Sequence, residues 1–389
     1  MNPRTRAIVI SISAPVIAFA IVGGVLGKVM AREETFQHLK PFDDVVNFIT
    51  GNYVEEVSID KVMRGAMRGL ADGLDPDSAY LTPDQVKEVE GQKPLPAGDV
   101  GLELTRQYYL RVIAARDGSP AARAGLRGGD YVRAINDKPT REMSVWEGMR
   151  ALRGAPGSKV TLAIIRGSAA DPHAVELIRE ALPASDVRSR IAAPGVGYLR
   201  IAAIGPTTVS QTKAQIADLQ TKGAAKLIID VRRTSTGEGE QGLALARLFV
   251  APGATLAIRE KSGSAREPIA TLAGDGAIKL PALVLLDSGT SGAAELFASA
   301  LSGNMRAELI GEHTIGRAAI QRLIKLPDSS GMWLSTSRYL TPAGAPLHEK
   351  GLEPTVAIEE PDVEFGQAPP PGDPILDKAI ERLSLKQAA

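Results

Sequence analysis

A strand, a loop of small polar residues and a helix follow one another in residues 283–321, and this stretch constrains the fold more than any other. An apolar run, Ala282 to Leu286, ends at Asp287, and a small-residue turn leads into a helical pattern at Glu295. A sharp strand-to-helix turn exposes a side chain, and the helix N-terminus offers unpaired N–H groups to a developing oxyanion. The pattern is typical of the place where hydrolases carry a nucleophile.

The segments before this stretch alternate between strand and helix patterns. Val196 to Ile204 and Lys226 to Arg233 read as strands, and a 3.6-residue apolar period predicts helices between and after them. Such alternation predicts a layered α/β domain. The whole chain of 389 residues is long enough for two or three domains with ample core.

Residues 97–170 have a different pattern, of short alternating strands punctuated by glycine. Together with two short helices they resemble a PDZ domain, and the segment 119–136, SPAARAGLRGGDYVRAIN, is the most specific part of the match. The resemblance implies that Gly101, Leu102, Glu103 and Leu104 receive the C-terminal carboxylate of a peptide on backbone N–H groups. The alternative is an ordinary turn in a small barrel.

The N-terminal segment predicts a membrane anchor. Residues 7–27 form an apolar run without a charged residue, and a helix of this length can span a bilayer. Arg4 and Arg6 precede the run, so we expect the N-terminus to stay in the cytoplasm and the remainder to be extracytoplasmic, on the periplasmic side of an inner membrane or at the cell surface. Val29 and Ala31 could form a cleavage site, which leaves a secreted form open.

Composition excludes several classes of site. The chain has no cysteine, so it has no disulfide, no thiol nucleophile and no Cys-ligated metal. Its 45 basic and 45 acidic residues cancel, which gives no sign of a nucleic-acid partner. No cluster has metal-ligand spacing, and we expect no cofactor. Asp75 and Asp77 are interpreted as turn and cap residues.

The order of these blocks over nearly the full length resembles the C-terminal processing peptidases, or tail-specific proteases, of the S41 serine peptidase family. The resemblance rests on GLDPDSAYLTP, the PDZ-like segment, VGYLRIAAI, KLIIDVRR, the strand–loop–helix stretch and RYLTPAGAPLHEKGLEPTV. It implies a multidomain α/β (α+β) chain with a crotonase/ClpP-like core. We expect five parts: a signal anchor (1–35), a helical arm (36–96), a PDZ domain (97–170), an S41 core (171–360) and a proline-rich tail with a short helix (361–389).

In that family a serine and a neutral lysine form a catalytic dyad, which a glutamine helps to orient. Aligned without gaps, the serine position of this chain is Gly292, the lysine position is Arg317, and the glutamine is retained as Gln321. The separation of 25 residues between the first two positions is the family's own. In the family, a further turn is linked to the oxyanion pocket. The corresponding segment here, Asp230–Gly237, differs from it in sequence.

Three hypotheses follow. Glycine has no nucleophile, and a guanidinium with a pKa above ~12 is not a base near pH 7, so the first is a pseudopeptidase that binds peptide C-termini. The second is a serine endopeptidase with a rearranged site, in which Ser291 is the replacement nucleophile with His313 as base and Asp287 as acid. The third is a structural subunit that forms homo-oligomers through the helical arm.

Overall fold

The computed structural model describes residues 40–91, 94–167, 171–361, 363–367 and 370–385. The predicted signal anchor and its apolar run 7–27 lie outside them. Among the described residues, no helix has the length and apolarity needed to cross a membrane. The chain divides into two compact units, which meet between Leu70 and Ala71.

The first unit is helical where it is described. Helix α1 covers residues 40–52, and α2 (Ile59–Asp72) begins directly after Ser58 and ends in the second unit. Ala71 is the buried residue of α2. Several large apolar side chains of this unit, Phe48 and Val54 among them, are exposed.

The second unit opens with β1 (Ala79–Leu81), α3 (Pro83–Glu90) and β2 (Gly98–Asp99). Thr82 caps α3 with a reciprocal capping box through Gln85.

An antiparallel sheet with two short helices follows, which we call the small barrel. Its strands pair in the order β3-β4-β5-β7-β8, with β6 beside β5. Leu104, Leu110 and Leu162 are fully buried in its core. The elements are β3 (Leu102–Gln107), β4 (Tyr109–Ala115), α4 (Pro120–Arg123), β5 (Tyr131–Ile135), β6 (Lys138–Pro139), a 3₁₀ turn (Thr140–Glu142), α5 (Val145–Leu152), β7 (Lys159–Ile165) and β8 (His173–Ile178).

The remaining residues build the layered domain. Strand β9 (Glu180–Ala181), which pairs with β2 in a separate two-stranded sheet, precedes this domain. The elements of the domain are β10 (Asp186–Ala193), β11 (Val196–Ala203), α6 (Thr208–Thr221), β12 (Lys226–Asp230), α7 (Gly239–Ala246), β13 (Thr255–Glu260), β14 (Glu267–Ala270), β15 (Ala282–Leu286), α8 (Ala293–Gly303), β16 (Ala307–Gly311), β17 (Ala319–Lys325), β18 (Gly331–Leu340), β19 (Val356–Ala357) and α9 (Pro374–Leu385).

The main sheet of this domain has the order β10-β11-β12-β15-β16-β19 and is parallel except for the edge strand β10. Side chains of β15 alternate between its faces: Val284 and Leu286 contact the core with α6, α7 and α8, whereas Leu283 and Leu285 pack with α9. Helices on both faces explain why the parallel strands are continuous apolar runs. The expected mixed α/β multidomain fold is confirmed.

A second sheet has the order β1-β18-β13-β14, with β17 paired to β18. Two predicted domain boundaries differ from those of the structure. The end of the helical arm at residue 96 is displaced because β1 and α3 belong to the second unit, where β1 pairs with β18. The boundary between residues 170 and 171 falls inside the small barrel because β8 pairs along β7, so this barrel continues to Ile178.

Candidate functional site

The loop between β15 and α8 lies where the sequence places a nucleophile. Gly292 is the N-cap residue of α8, with φ +61° and ψ −117°. A Cβ built at this position meets only the carbonyl oxygen of Arg317 within 4 Å, at 3.8 Å. The positive φ favours glycine, but the space in front of it would hold a side chain. The turn therefore presents a position without a side chain and with room for one.

A buried carboxylate fixes this turn to the segment that carries Arg317. Glu295 is fully buried and accepts N–H bonds from Gly292 (3.0 Å), Gly316 (2.7 Å) and Arg317 (2.7 Å), as well as the hydroxyl of Thr314. Burial raises the pKa of Glu295 above its usual value. In the sequence, Glu295 is marked only as the start of a helical pattern, and no local signal predicts these bonds. Its bonds hold positions 292 and 317 in a fixed relation.

The side chain of Arg317 is held between two carboxylates. Its Nε and Nη2 donate to Asp77 at 2.8–3.1 Å, and its Nη1 donates to Glu103 at 2.5 Å. Burial alone would lower the pKa of Arg317, but the charges of Asp77 and Glu103 outweigh it and raise the pKa further. A guanidinium in this setting is a permanent cation and cannot accept a proton.

The two carboxylates come from distant segments. Asp77 lies just before β1, and the interpretation of Asp75 and Asp77 as turn and cap residues fits only Asp75. The carboxylate of Asp75 accepts the N–H groups of Asp77 (2.9 Å) and Ser78 (2.8 Å), whereas that of Asp77 pairs with Arg317. Glu103 lies in β3 of the small barrel. Arg317 therefore joins three segments of the chain.

The side chain of Gln321 bonds to a neighbouring strand. It lies on strand β17, and its Nε2 donates to the hydroxyl of Ser335 on β18 at 3.2 Å. The guanidinium of Arg317 is bonded to Asp77 and Glu103 instead.

The groups of the rearranged triad are not assembled. Ser291 is fully buried, and its hydroxyl has no hydrogen-bond partner among the residues that the structure describes. The Nε2 of His313 lies 3.5 Å from the exposed Glu353. The carboxylate of Asp287 accepts N–H groups of Arg233 (2.8 Å) and Gly289 (3.0 Å). Burial raises the pKa of Asp287 to about 6.

The turn Asp230–Gly237 is rigidly held. Buried Asp230 accepts bonds from the guanidinium of Arg232 (2.6–3.1 Å) and from the hydroxyl of Tyr198 (2.7 Å). Arg232 also donates to Asp373, directly before α9, at 2.7 and 2.9 Å. Arg233 has φ +54° and is anchored by Asp287. The turn therefore links β12, the loop after β15 and the C-terminal helix.

Known family models match segments of both the layered domain and the small barrel. Residues 195–358 match Peptidase family S41, and residues 111–166 match a PDZ domain. The first match lies in the layered domain, which we therefore call the S41 domain. The small barrel is the PDZ domain of the chain, and the resemblance to C-terminal processing peptidases is confirmed.

Individual relatives carry such names. The chain is 28% identical over 335 residues to the carboxy-terminal-processing protease of Bartonella bacilliformis, covering 85% of this chain and 77% of that protein. It is 29% identical over 317 residues to the carboxyl-terminal-processing protease of Synechocystis sp., covering 80% and 74%. The solved structure of a photosystem II D1 C-terminal processing protease superposes with a TM-score of 0.68 at 25% identity, covering 82% of this chain and 86% of that one.

The peptide-binding turn predicted in the PDZ domain has the geometry of a glycine turn. Gly101 has φ +77°, and a Cβ there would lie 2.3 Å from the Cβ of Ser119, so glycine is required. Leu102 and Leu104 point into the PDZ core, at 3% and 0% exposure. The side chain of Glu103 is committed to Arg317. These side chains are occupied, so a ligand of this turn would bind to its backbone groups.

A cavity of about 370 Å³ joins this turn to the S41 domain. Gly101, Leu102 and Glu103 line it from the PDZ side. On the S41 side it is lined by residues 233 and 235–237 of the turn Asp230–Gly237 and by Glu238 directly after that turn. Its volume is within the range of ligand pockets, ~300–1,000 Å³. The two domains therefore face one shared cleft. Among the described residues, no cluster of His, Cys, Asp or Glu could hold a metal ion.

Proposed function

We propose that this protein is a pseudopeptidase: an S41 scaffold that binds peptide or protein C-termini through its PDZ domain and does not cleave them. One observation carries the proposal. The guanidinium at the base position is fixed between Asp77 and Glu103, while position 292 has no side chain. Neither a nucleophile nor a base is present where the family places them, and losing such groups removes on the order of 10⁶ in rate in one well-studied serine hydrolase.

A cleavage assay tests the proposal. The full-length chain is incubated in mild detergent with fluorescein-labelled unfolded casein, and fragments are separated by mass. We expect no cleavage above the buffer control. The rearranged-site hypothesis predicts cleavage that is abolished by Ser291→Ala and retained in Ser299→Ala, which also removes a buried unbonded serine hydroxyl. That pair of results would overturn the pseudopeptidase.

We further propose that residues 7–27 anchor the protein in a membrane, with the rest on its extracytoplasmic side. The uncharged run after Arg4 and Arg6 supports this placement. Alkaline carbonate extraction of membranes from the producing cell is the test. Release of the full-length chain into the supernatant would contradict an anchor.

A homo-oligomer formed through the helical arm is a second candidate role, which its exposed apolar side chains favour. Phe48 is 69% exposed, Val54 is 90% exposed and Ile59 is 56% exposed. These exposed apolar side chains lie on α1, on the bend after it and at the start of α2; such a group marks an interaction surface, and we propose a second copy of the chain as the partner.

We expect Phe48→Glu to convert an oligomer to a monomer at micromolar concentration, because a buried unpaired carboxylate would replace an apolar contact. Light scattering after size-exclusion chromatography measures the mass. Thr50→Glu adds the same charge at an exposed position of the same helix and serves as the control. A wild-type chain that is already monomeric would contradict this role.

A further inference from the structure

The β8 side of the PDZ domain holds an aromatic side chain from the C-terminal tail. The ring of Phe365 stacks on that of His173, at the start of β8, with ring centroids 4.5 Å apart and planes 6° apart. The guanidinium of Arg166, directly after β7, lies 5.0 Å from the centre of the same ring. Phe365 is half-buried and packs against the PDZ core. Strand β8 ends the sheet opposite to β3, which the glycine turn precedes, so this contact is separate from that turn.

The guanidinium of Arg166 is fixed by bonds within the PDZ domain. Its Nε and Nη2 donate to the carboxylate of buried Asp130 at 2.6 and 2.7 Å, and Nη2 also donates to the carbonyl oxygen of Gly125 at 2.8 Å. A guanidinium over an aromatic ring and two stacked rings are both attractive arrangements. Arg166 and His173, which we call the β8 platform, therefore suit an aromatic side chain.

The tail presents Phe365 on a tight turn. The backbone N–H of Gln367 donates to the carbonyl oxygen of Glu364 at 3.2 Å, which closes a turn of four residues. Gly366, the third residue of the turn, has φ +84°, a conformation that glycine adopts without strain. The side chain of Gln367 also donates to the carboxylate of Glu364 at 2.9 Å. These bonds fix the backbone on both sides of Phe365.

Residues on both sides of this turn are bound to one arginine of the S41 domain. The guanidinium of Arg232 donates to Glu360 at 3.2 Å and to Asp373 at 2.7 and 2.9 Å. Arg232 belongs to the turn Asp230–Gly237, which lines the shared cleft. Phe365 therefore reaches the PDZ domain from a segment that is tied to the S41 domain before and after it.

We propose that Arg166 and His173 form a second binding site of the PDZ domain, which takes an aromatic side chain, and that Phe365 of the same chain is its ligand. Occupancy of this site ties the PDZ domain, through Arg232, to the turn that lines the shared cleft. The ligand is an internal side chain, so the inference goes beyond the proposed function and does not depend on it.

The test measures cleavage after Phe365 by chymotrypsin, which cuts after accessible aromatic residues. The full-length chain in mild detergent is digested at low protease concentration, and mass spectrometry gives the initial rate. Cleavage after Phe48, an exposed residue of α1, is the internal reference. A synthetic peptide of residues 360–373 gives the rate for an unbound segment. We expect wild type to be cut after Phe365 at least about tenfold more slowly than the peptide, because proteolysis follows the population of the open form.

Variants of β8 test the platform. His173→Ala removes the stacked ring and is expected to speed cleavage after Phe365 about fivefold, because an aromatic pair stabilises a contact beyond its buried area. His173→Phe keeps a stacked ring and should restore the protection. Glu176→Ala, at another exposed position of β8, is the control and should be cut as wild type is. Arg166 is left unchanged because it pairs with buried Asp130.

A second variant tests the tie to the S41 domain. Glu360→Gln and Asp373→Asn together remove both charges that Arg232 binds, while asparagine can still cap α9 as Asp373 does through the N–H of Leu376. We expect a similar rise in cleavage after Phe365, because a segment that is not anchored has a lower effective concentration at its site. Glu359→Gln removes a neighbouring exposed carboxylate and serves as the control.

Three results would overturn the inference. Wild-type cleavage after Phe365 at the rate of the peptide would show that the β8 platform does not hold the ring. Unchanged cleavage in His173→Ala, or equal acceleration in His173→Ala and His173→Phe, would show that stacking is not what binds Phe365. Unchanged cleavage in the variant of Glu360 and Asp373 would show that the segment is not held through Arg232.

Discussion

Replacing Gly292 by Ser and Arg317 by Lys together is expected to leave the protein inactive near pH 7, and activity is expected to appear only when Asp77→Asn and Glu103→Gln are added. A Ser–Lys dyad needs a neutral lysine. A lysine at position 317 would lie where the guanidinium now meets two carboxylates at 2.5–3.1 Å. Opposite charges at this distance favour the ammonium, so with a pKa of about 10.4 or higher fewer than roughly one lysine in a thousand is neutral at pH 7.

The variant with all four substitutions, called the fourfold variant, has no carboxylate at positions 77 and 103 to keep the lysine charged. The space in front of Gly292 accommodates the serine, and the positive φ costs on the order of 1–3 kcal/mol. We expect casein cleavage to rise by at least about 10³-fold over wild type, less than the full effect of a catalytic dyad because the turn Asp230–Gly237 also departs from the family.

The matched control carries Gly292→Ala in place of Gly292→Ser with the other three substitutions and should not cleave, since it differs by one hydroxyl group. Equal cleavage by the double and fourfold variants would show that Asp77 and Glu103 do not hold the lysine charged. Cleavage by the alanine control would show that position 292 is not the nucleophile.

The strand–loop–helix stretch was predictable from sequence because its signals are local. The apolar run that predicts a strand is β15 with the same bounds, Ala282–Leu286, and the helix begins at Ala293, two residues before the expected start. The boundaries of the small barrel were less predictable. Strand β8 follows a glycine and polar segment that resembles a linker, and only its pairing with β7 assigns it to the barrel.

The positions that correspond to the family's catalytic residues could also be predicted, because they depend on spacing along the chain. The partners of Arg317 could not be predicted from the sequence. Its partners are 240 residues away for Asp77 and 214 for Glu103, and no periodicity connects such positions. The sequence assigned Asp77 to a turn and Glu103 to peptide binding, since each has a plausible local role. Long-range ion pairs are set by tertiary structure. The sequence therefore shows only that position 317 lacks a lysine, whereas the structure shows that Arg317 connects distant segments of the chain.

Arg317→Met is expected to lower the free energy of unfolding by roughly 3 kcal/mol, because it leaves Asp77 and Glu103 close together without a cation. Their side chains are 9% and 18% exposed, so solvent compensates little. Urea unfolding is followed by tryptophan fluorescence. Trp146 and Trp333 pack in one cluster with Ala79 and therefore report on the segment that holds Asp77.

Two comparisons distinguish the effect on stability of losing these ion pairs from the effect of losing any arginine side chain. Arg338→Met breaks a surface pair with Glu260 and should lower the free energy of unfolding far less than Arg317→Met does. Adding Asp77→Asn and Glu103→Gln to Arg317→Met should restore most of the lost stability, because neutral amides in place of the carboxylates leave no uncompensated charge. If the triple variant is as unstable as Arg317→Met, the arginine stabilises the protein through packing of its side chain. Recovery would instead show that Arg317 stabilises the protein by neutralising the carboxylates of Asp77 and Glu103.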